Sequence, residues 1–240
     1  MEIESVNWNE EKYSEFIDFL LSLEDMKYRE FHSKILGIEK NLIGIRTPQL
    51  KEISKQISKG NWEDFFQCSR RDYYEESVIK GLILGYIKCD FEDRLRYLNN
   101  FIDEIDNWAT CDIMVANFKF LKKEGEKYFN FIKSCAKSDE PWRIRVALVS
   151  MLDFYLTDEH VDEILLICSN IKNENYYVKM SQAWLISIIF IKFKEKVLEY
   201  FKNNKIDIWI QNKAIQKIVE SRRVSTEDKK NIINFKRNLN

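Results

Sequence analysis

Apolar residues recur along this chain at intervals of three and four, which is the spacing of helices that bury one face. Near the start, Tyr13, Phe16 and Leu20 follow this spacing. Asn9 stands just before them and has the side-chain oxygen that caps a helix. The pattern therefore predicts a first helix from Asn9 to about Glu24.

The same period predicts helices along the rest of the chain. Thr47 and Pro48 are typical of an N-cap and a first helical residue, and Gly60 is typical of a helix end. Ser225 caps the last helix, with Asp228 three residues on approximating a capping box. The predicted segments are 26–35, 47–59, 62–67, 71–88, 91–105, 107–121, 125–136, 141–155, 158–171, 175–193, 195–202, 208–220 and 227–238.

Composition supports an all-α fold. Hydrophobic residues make up 45% of the 240 residues, enough for a sizeable core, whereas only six Gly and two Pro are available for turns. Because the predicted helices follow one another without a linker, we expect one domain, residues 1–240, of stacked antiparallel helix pairs. Trp108, Trp142 and Trp184 are spaced by 34 and 42 residues, which favours an α-solenoid of HEAT-like repeats with a concave, partly basic groove. A helix bundle is the competing architecture.

The cysteines and the apolar runs bear on the compartment. Five Cys are scattered singly and the first residues are acidic, so we expect reduced thiols in a cytoplasmic protein. The longest apolar run, 183–191, is too short to span a bilayer, which predicts no membrane association. We expect a monomer.

Charge is distributed unevenly. The net charge is −1, but residues 1–30 carry three Lys/Arg against nine Asp/Glu, and residues 181–240 carry thirteen against six. A local basic field attracts polyanions even when the whole chain is nearly neutral. A lysine-rich, solvated surface is the alternative interpretation.

Common catalytic signatures are absent. No phosphate-binding glycine loop, nucleophile elbow or paired-histidine zinc motif occurs, and His32 and His160 are the only histidines. A histidine-based triad, a metal or an organic cofactor is therefore not expected. Cys111 has no plausible histidine partner and is predicted to be a core residue.

Trp108 and Asp112 stand four residues apart and would share one face of a helix. Tryptophan offers a π-face to flat or cationic groups, and a carboxylate is costly to bury without a purpose. A core tryptophan beside a locally capping aspartate is the competing interpretation.

Five blocks together resemble the AlkD family of DNA alkylation repair proteins, whose fold is a solenoid of HEAT-like repeats. The resemblance extends from about residue 28 to 238. The blocks are LIGIRTPQLKEI (42–53), DNWATCD (106–112), WRIRVALVSML (142–152), YYVKMSQAWLIS (176–187) and NKAIQKIVESRRV (212–224).

The resemblance implies a DNA site formed by Trp108, Asp112, Arg145 and Trp184. Asp112 would stabilise the oxocarbenium ion that forms when an alkylated purine leaves, and would orient water. The two tryptophans would attract the cationic lesion, and Arg145 would hold a backbone phosphate.

Two departures from the glycosylase members bear on catalysis. The segment 30–41 is predicted to be too short and irregular to supply their additional N-terminal helix, and Ser187 stands where a basic residue would help to bind phosphate. The chain in this respect resembles a branch that lacks the N-terminal helix. We therefore predict a DNA-binding protein, for damaged, duplex or branched DNA, with doubtful glycosylase activity. An active alkylpurine DNA glycosylase and a protein-binding solenoid are the alternatives.

Overall fold

The computed structural model describes residues 2–37, 41–203 and 206–238. This described part contains fourteen α-helices, two short 3-10 helices and no β-strand, with an isolated bridge between Asn41 and Tyr73. The all-α prediction is confirmed. The chain divides into two compact units, residues 1–120 and 121–240.

The first unit contains seven α-helices in its described residues. Helix α5 packs between α3 and α7, while α6 packs on α5 and α4 packs on α1. In its core, the aromatic rings of Trp8, Phe16 and Phe65 all contact one another. The helices are α1 (Glu10–Leu21), α2 (Met26–Leu36), α3 (Thr47–Ile57), α4 (Trp62–Cys68), α5 (Tyr74–Tyr86), α6 (Phe91–Ile102) and α7 (Trp108–Ala116), and the 3-10 helices are Ile3–Ser5 and Lys119–Lys122.

The second unit repeats this alternation. Helix α11 packs between α9 and α13, and α8, α12 and α14 pack on α9, α11 and α13 respectively. Packing of each helix on the next but one is what a repeat of helix pairs produces, as predicted. The helices are α8 (Gly125–Ala136), α9 (Pro141–Phe154), α10 (Val161–Asn170), α11 (Tyr176–Lys192), α12 (Lys194–Lys202), α13 (Ile208–Glu220) and α14 (Thr226–Ile233).

Several predicted helix ends are confirmed by their capping bonds. Asn9 accepts the Lys12 amide at 2.8 Å, and Ser225 accepts the Asp228 amide at 3.1 Å. Gly37 ends α2 in the left-handed conformation, with φ of +58°.

The predicted start of α3 was wrong by one residue. Thr47 is already helical, so Pro48 occupies the second helical position and Arg46 is the N-cap. The extended backbone of Arg46 places its carbonyl to accept the amides of Gln49 and Leu50, at 2.9 and 3.2 Å. This shifts the helix start toward the N-terminus.

Several other helices are also shorter than predicted, and in three of them polar side chains that bind the adjoining backbone explain the difference. Helix α5 begins at Tyr74 rather than at residue 71, since the Tyr73 amide donates to Glu76 at 2.7 Å. Helix α7 ends early, where the Asn117 side chain donates to the Leu82 carbonyl at 3.0 Å. Helix α14 ends at Ile233 because Gln211 and Asn212 on α13 bind the backbone of residues 235 and 237.

Helix α2 ends at Leu36, one residue beyond the predicted segment 26–35. Two helices, α1 and α2, therefore precede the block at 42–53. Residues 38–40 lie outside the described residues. The lack of the glycosylases' additional N-terminal helix, and membership of the branch without it, stay predictions.

Candidate nucleic-acid interface

Trp108 and Asp112 share one face of α7. Asn107 caps this helix by accepting the Thr110 amide at 2.8 Å, so Trp108 is its first residue and Asp112 follows one turn later. Both side chains are half-buried, whereas Cys111 is fully buried, as predicted for a core cysteine. The helical placement of the pair is confirmed.

An aromatic cluster on α2 and α5 lies close to Asp112. The Tyr74 hydroxyl is buried and has no hydrogen-bond partner among the described residues, and the ring of His32 meets Tyr74 edge-on with 5.4 Å between ring centroids. Burial raises the pKa of Tyr74, and the charges of Glu75 and Asp112 raise it further. Asp112 is thus near enough to Tyr74 for its charge to act on the hydroxyl group.

The loop that begins the LIGIRTP block is fixed by a buried carboxylate. Glu75 on α5 accepts the amides of Ile43, Gly44 and Ile45 at 3.0, 2.7 and 3.2 Å. Burial raises the pKa of Glu75, although these backbone amides act to lower it. Gly44 has φ of +96° and lies where an added Cβ would be 2.7 Å from the Cβ of Arg29. This loop therefore depends on one carboxylate and one glycine.

Arg145 lies on α9 and is only 5% exposed. Its Nη1 donates to the carbonyl oxygen of Tyr177, in the first turn of α11, at 2.9 Å. This bond fixes the orientation of the guanidinium, whose N–H donors form a planar fork. Arg145 thus links two neighbouring helices of the second unit.

Trp184 lies in the middle of α11 and is half-buried. It follows Tyr177 by seven residues, about two turns, so the two rings belong to one face of the helix. Ser187 is buried and donates its hydroxyl to the Trp184 carbonyl at 2.7 Å. The position where a basic residue would help to bind phosphate is thus occupied by a hydroxyl that binds backbone.

Two lysines on α13 were not singled out by the sequence analysis. Lys213 and Lys217 follow Trp209 at intervals of four and share its face. Burial lowers the pKa of Lys217 and the charge of Lys213 lowers it further, while the charge of Glu220 raises it and the charge of Arg145 lowers it. Their spacing was visible in the block 212–224, but their proximity to Arg145 depends on how α9 and α13 pack around α11.

The four predicted site residues are divided between the units. Trp108 and Asp112 belong to the first, and Arg145 and Trp184 belong to the second. Trp108 and Asp112 both lie on α7, which packs on α5. Arg145 lies on α9 and Trp184 lies on α11, and these two helices pack on each other. That all four line one groove stays a prediction.

Other kinds of site find little support in the described part of the chain. No three His, Cys, Asp or Glu side chains lie close enough there to hold a metal ion. Within the same residues, every helix is too short or too polar to cross a membrane. All five cysteines are free thiols.

The comparisons with known proteins address the resemblance directly. The family model described as "DNA alkylation repair enzyme" matches residues 17–218, a span that includes Trp108, Asp112, Arg145 and Trp184. No curated protein matches the chain. On the strength of that match over most of its length, the chain belongs to the DNA alkylation repair enzyme family.

Proposed function

We propose that the protein binds damaged DNA, with phosphates held by the second unit and the lesion held by Trp108, Asp112 and Trp184. Family membership supports a role in DNA repair. The observation that carries DNA binding is the group of cations formed by Arg145, Lys213 and Lys217, in which the pKa of Lys217 is lowered. Burial is the main cause of this lower pKa, so the charged ammonium is disfavoured there, and the charge of Glu220 offsets the effect only in part.

A phosphate would relieve this unfavourable charge. The Lys213 ammonium donates to the amide oxygen of Gln216 at 2.9 Å, and no carboxylate pairs with it among the described residues. Arg145 is buried and oriented by Tyr177, which suits a guanidinium that holds one phosphate in a fixed position. Both features favour a polyanion over a neutral partner.

The tryptophans suit an alkylated purine because such a base carries a positive charge. Indole attracts cations over its face, and the interaction strengthens when water is excluded. Trp108 and Trp184 are half-buried, so each keeps part of its surface for a ligand.

The test is a titration of duplex DNA, with and without one N7-methylguanine, followed by fluorescence anisotropy at several salt concentrations. We expect the affinity of the wild type to fall steeply as the salt concentration rises. At any one salt concentration, Lys213→Gln and Lys217→Gln should bind more weakly than the wild type. Lys59→Gln is the matched control, because Lys59 is exposed, lies in the first unit and pairs with Glu4 at 2.9 Å. Affinity that does not change with salt would contradict phosphate binding and favour a protein partner.

Base excision is the second candidate function, and the Trp108–Asp112 pair favours it. In the step concerned, the C1′–N bond of the alkylated nucleotide breaks and its electron pair neutralises the cationic base. Water adds to C1′ and loses a proton, and a carboxylate stabilises the positive sugar in between. Asp112 is half-buried, so its charge would be screened less than that of a fully exposed carboxylate.

The assay for excision is release of methylated purines from alkylated DNA by the wild type and by Asp112→Asn. Release that is lost in Asp112→Asn supports the enzyme, whereas intact DNA binding without release in the wild type supports binding alone. The acidic first thirty residues oppose phosphate contacts by that segment and favour weak catalysis.

Convergence of the two pairs is tested by a double-mutant cycle. If Asp112 and Arg145 act on one nucleotide, the effects of Asp112→Asn and Arg145→Gln on affinity for methylated duplex should couple by at least about 0.5 kcal/mol. Additive effects would contradict a shared groove.

A further inference from the structure

Four aromatic rings form a continuous row in the second unit, which we call the aromatic row. Its members, in order, are Trp142, Tyr177, Tyr176 and Trp209. The distances between successive ring centroids are 5.2, 5.4 and 6.0 Å. No part of this row is used by the proposed lesion site.

The row exists because three helices begin side by side. Trp142, Tyr177 and Trp209 each occupy the second position of α9, α11 or α13, and α11 packs between the other two helices. Helices α11 and α13 are capped by Asn175 and Asp207, which accept the amides of Tyr177 and Ile210 at 2.8 and 3.1 Å. The rings are therefore held in a fixed register by well-defined helix starts.

Much of this aromatic surface is open to solvent. Tyr176 is 57% exposed, and the other three rings are half-buried. The interplanar angles of Tyr176 with Tyr177 and Trp209 are 77° and 65°, so these rings meet by their edges. An edge contact occupies one face of a ring at most and leaves the other for a further flat partner.

Lysines flank one end of the row. The ammonium groups of Lys179 and Lys213 lie 5.9 and 5.8 Å from the Trp209 ring centroid. Lys179 is neutralised by Glu174 at 2.9 Å and Asp207 at 3.6 Å. Lys213 binds the amide oxygen of Gln216 and has no carboxylate partner among the described residues. Lys217 lies one turn further along α13, where the charge of Glu220 also acts on it.

We propose that the aromatic row stacks the bases of single-stranded DNA, while Lys213 and Lys217 contact its phosphates. Aromatic side chains in line beside a positively charged track are the usual means of binding unpaired strands, because every base has a π-face. The bases of a duplex are stacked on one another and cannot offer their faces. This inference rests on the proposed DNA binding and names a second form of DNA for it.

The test compares two strands of about twelve nucleotides, a site size within the range of known single-strand binders. One is oligothymidylate, and the other is an abasic strand with the same phosphates. We expect the wild type to bind oligothymidylate at least about tenfold more tightly, since each stacked base contributes about 1–3 kcal/mol. Tyr176→Ala and Trp209→Ala should each weaken oligothymidylate binding about fivefold or more and leave abasic binding unchanged.

Trp62→Ala is the matched control. Trp62 is a half-buried tryptophan in an aromatic cluster of the first unit, and two acidic residues, Glu63 and Asp64, follow it. It should leave both affinities unchanged. If Trp209→Ala fails to fold, two other variants carry the test. Tyr176→Ala changes an exposed residue, and Lys213→Gln should weaken the binding of both strands equally.

The outcomes separate this inference from the proposed function. Equal wild-type affinity for the two strands, with duplex binding intact, overturns the aromatic row and leaves the proposed function standing. Tighter binding of oligouridylate than of oligothymidylate overturns the assignment to DNA. If the wild type binds no DNA at low salt, both proposals are overturned.

Discussion

The Nη1 atom of Arg145 donates a hydrogen bond to the carbonyl oxygen of Tyr177 at 2.9 Å, which ties the second turn of α9 to the first turn of α11. The same two helix starts are joined by the rings of Trp142 and Tyr177. One buried cation therefore helps to position both the group of cations proposed to bind phosphate and the aromatic row.

Arg145→Lys should weaken duplex binding about tenfold or more. Lysine keeps the charge but cannot donate to the Tyr177 carbonyl and to a phosphate in the fixed planar geometry of a guanidinium. Anisotropy titration at constant salt measures the loss. Arg96→Lys is the control, because Arg96 is exposed and pairs within its own helix with Asp93 at 2.7 Å; an equal loss there would refute a special role for Arg145.

Asp112→Asn should abolish purine release while leaving the melting temperature within about 2 °C of the wild type, since the exchange keeps the size of this half-buried side chain. Asparagine has nearly the same shape but no negative charge to stabilise an oxocarbenium ion. Release is measured by separation of free methylpurines from alkylated DNA. Glu104→Gln, which alters a carboxylate that pairs with Lys80 at 2.9 Å, should retain wild-type release. Undiminished release by Asp112→Asn would exclude Asp112 from the chemistry.

Removal of the two α13 lysines should change the salt dependence of duplex binding. Each phosphate contact contributes about 0.9 to the slope of log affinity against log salt, so Lys213→Gln with Lys217→Gln should reduce that slope by up to about 1.8. The slope is obtained from titrations at several salt concentrations. A parallel line at lower affinity would mean that the lysines support the fold and do not contact phosphate.

Helix positions could be predicted from the sequence because burial of one face imposes its own period on the residues. The caps Asn9 and Ser225 were found for a related reason, since their partners lie three residues away. Helix ends failed where the partner is distant in sequence. Gln211 binds the carbonyl of residue 235 and ends α14, and nothing in the local pattern indicates this contact.

The candidate site shows the same division. Trp108 and Asp112 could be paired from their spacing, because both lie on one helix. The aromatic row could not be predicted, because Trp142, Tyr176 and Trp209 come together only through the packing of α9, α11 and α13. Sequence spacing specifies neighbours on one helix, whereas neighbours on adjacent helices depend on the register of packing.

As pH is raised, the affinity for duplex DNA should begin to fall at a lower pH than the titration of an ordinary lysine would produce. The reason is that the pKa of Lys217 lies below its ordinary value. The charged ammonium binds phosphate, so this contribution is present below the lowered pKa and is lost as pH rises through it. Lys217→Arg should keep its charge and remove this early loss. The measurement is affinity from about pH 7 to about pH 10, a range that includes ordinary lysine titration. Lys59→Arg is the control, since Glu4 raises the pKa of Lys59; identical profiles for the wild type and Lys217→Arg would refute the assignment.

Glu75→Gln should lower the stability of the first unit by about 1–3 kcal/mol, the usual cost of leaving a buried polar group unpaired. Both carboxylate oxygens accept backbone amides, at Ile43 and at Gly44, and the NH₂ group of glutamine would face one of these donors with another donor. Denaturant unfolding measures the change, and Glu52→Gln, at an exposed position, is the control.

The stability of Glu75→Gln should also differ from that of the wild type in its pH dependence. Because burial raises the pKa of Glu75 above its ordinary 4.5, the native state holds this proton longer than the unfolded chain, so wild-type stability should fall as pH rises from about 4.5 through the raised pKa. Glutamine cannot titrate and should lack that decline; equal pH profiles for the wild type and Glu75→Gln would show that this carboxyl group keeps its ordinary pKa in the folded protein.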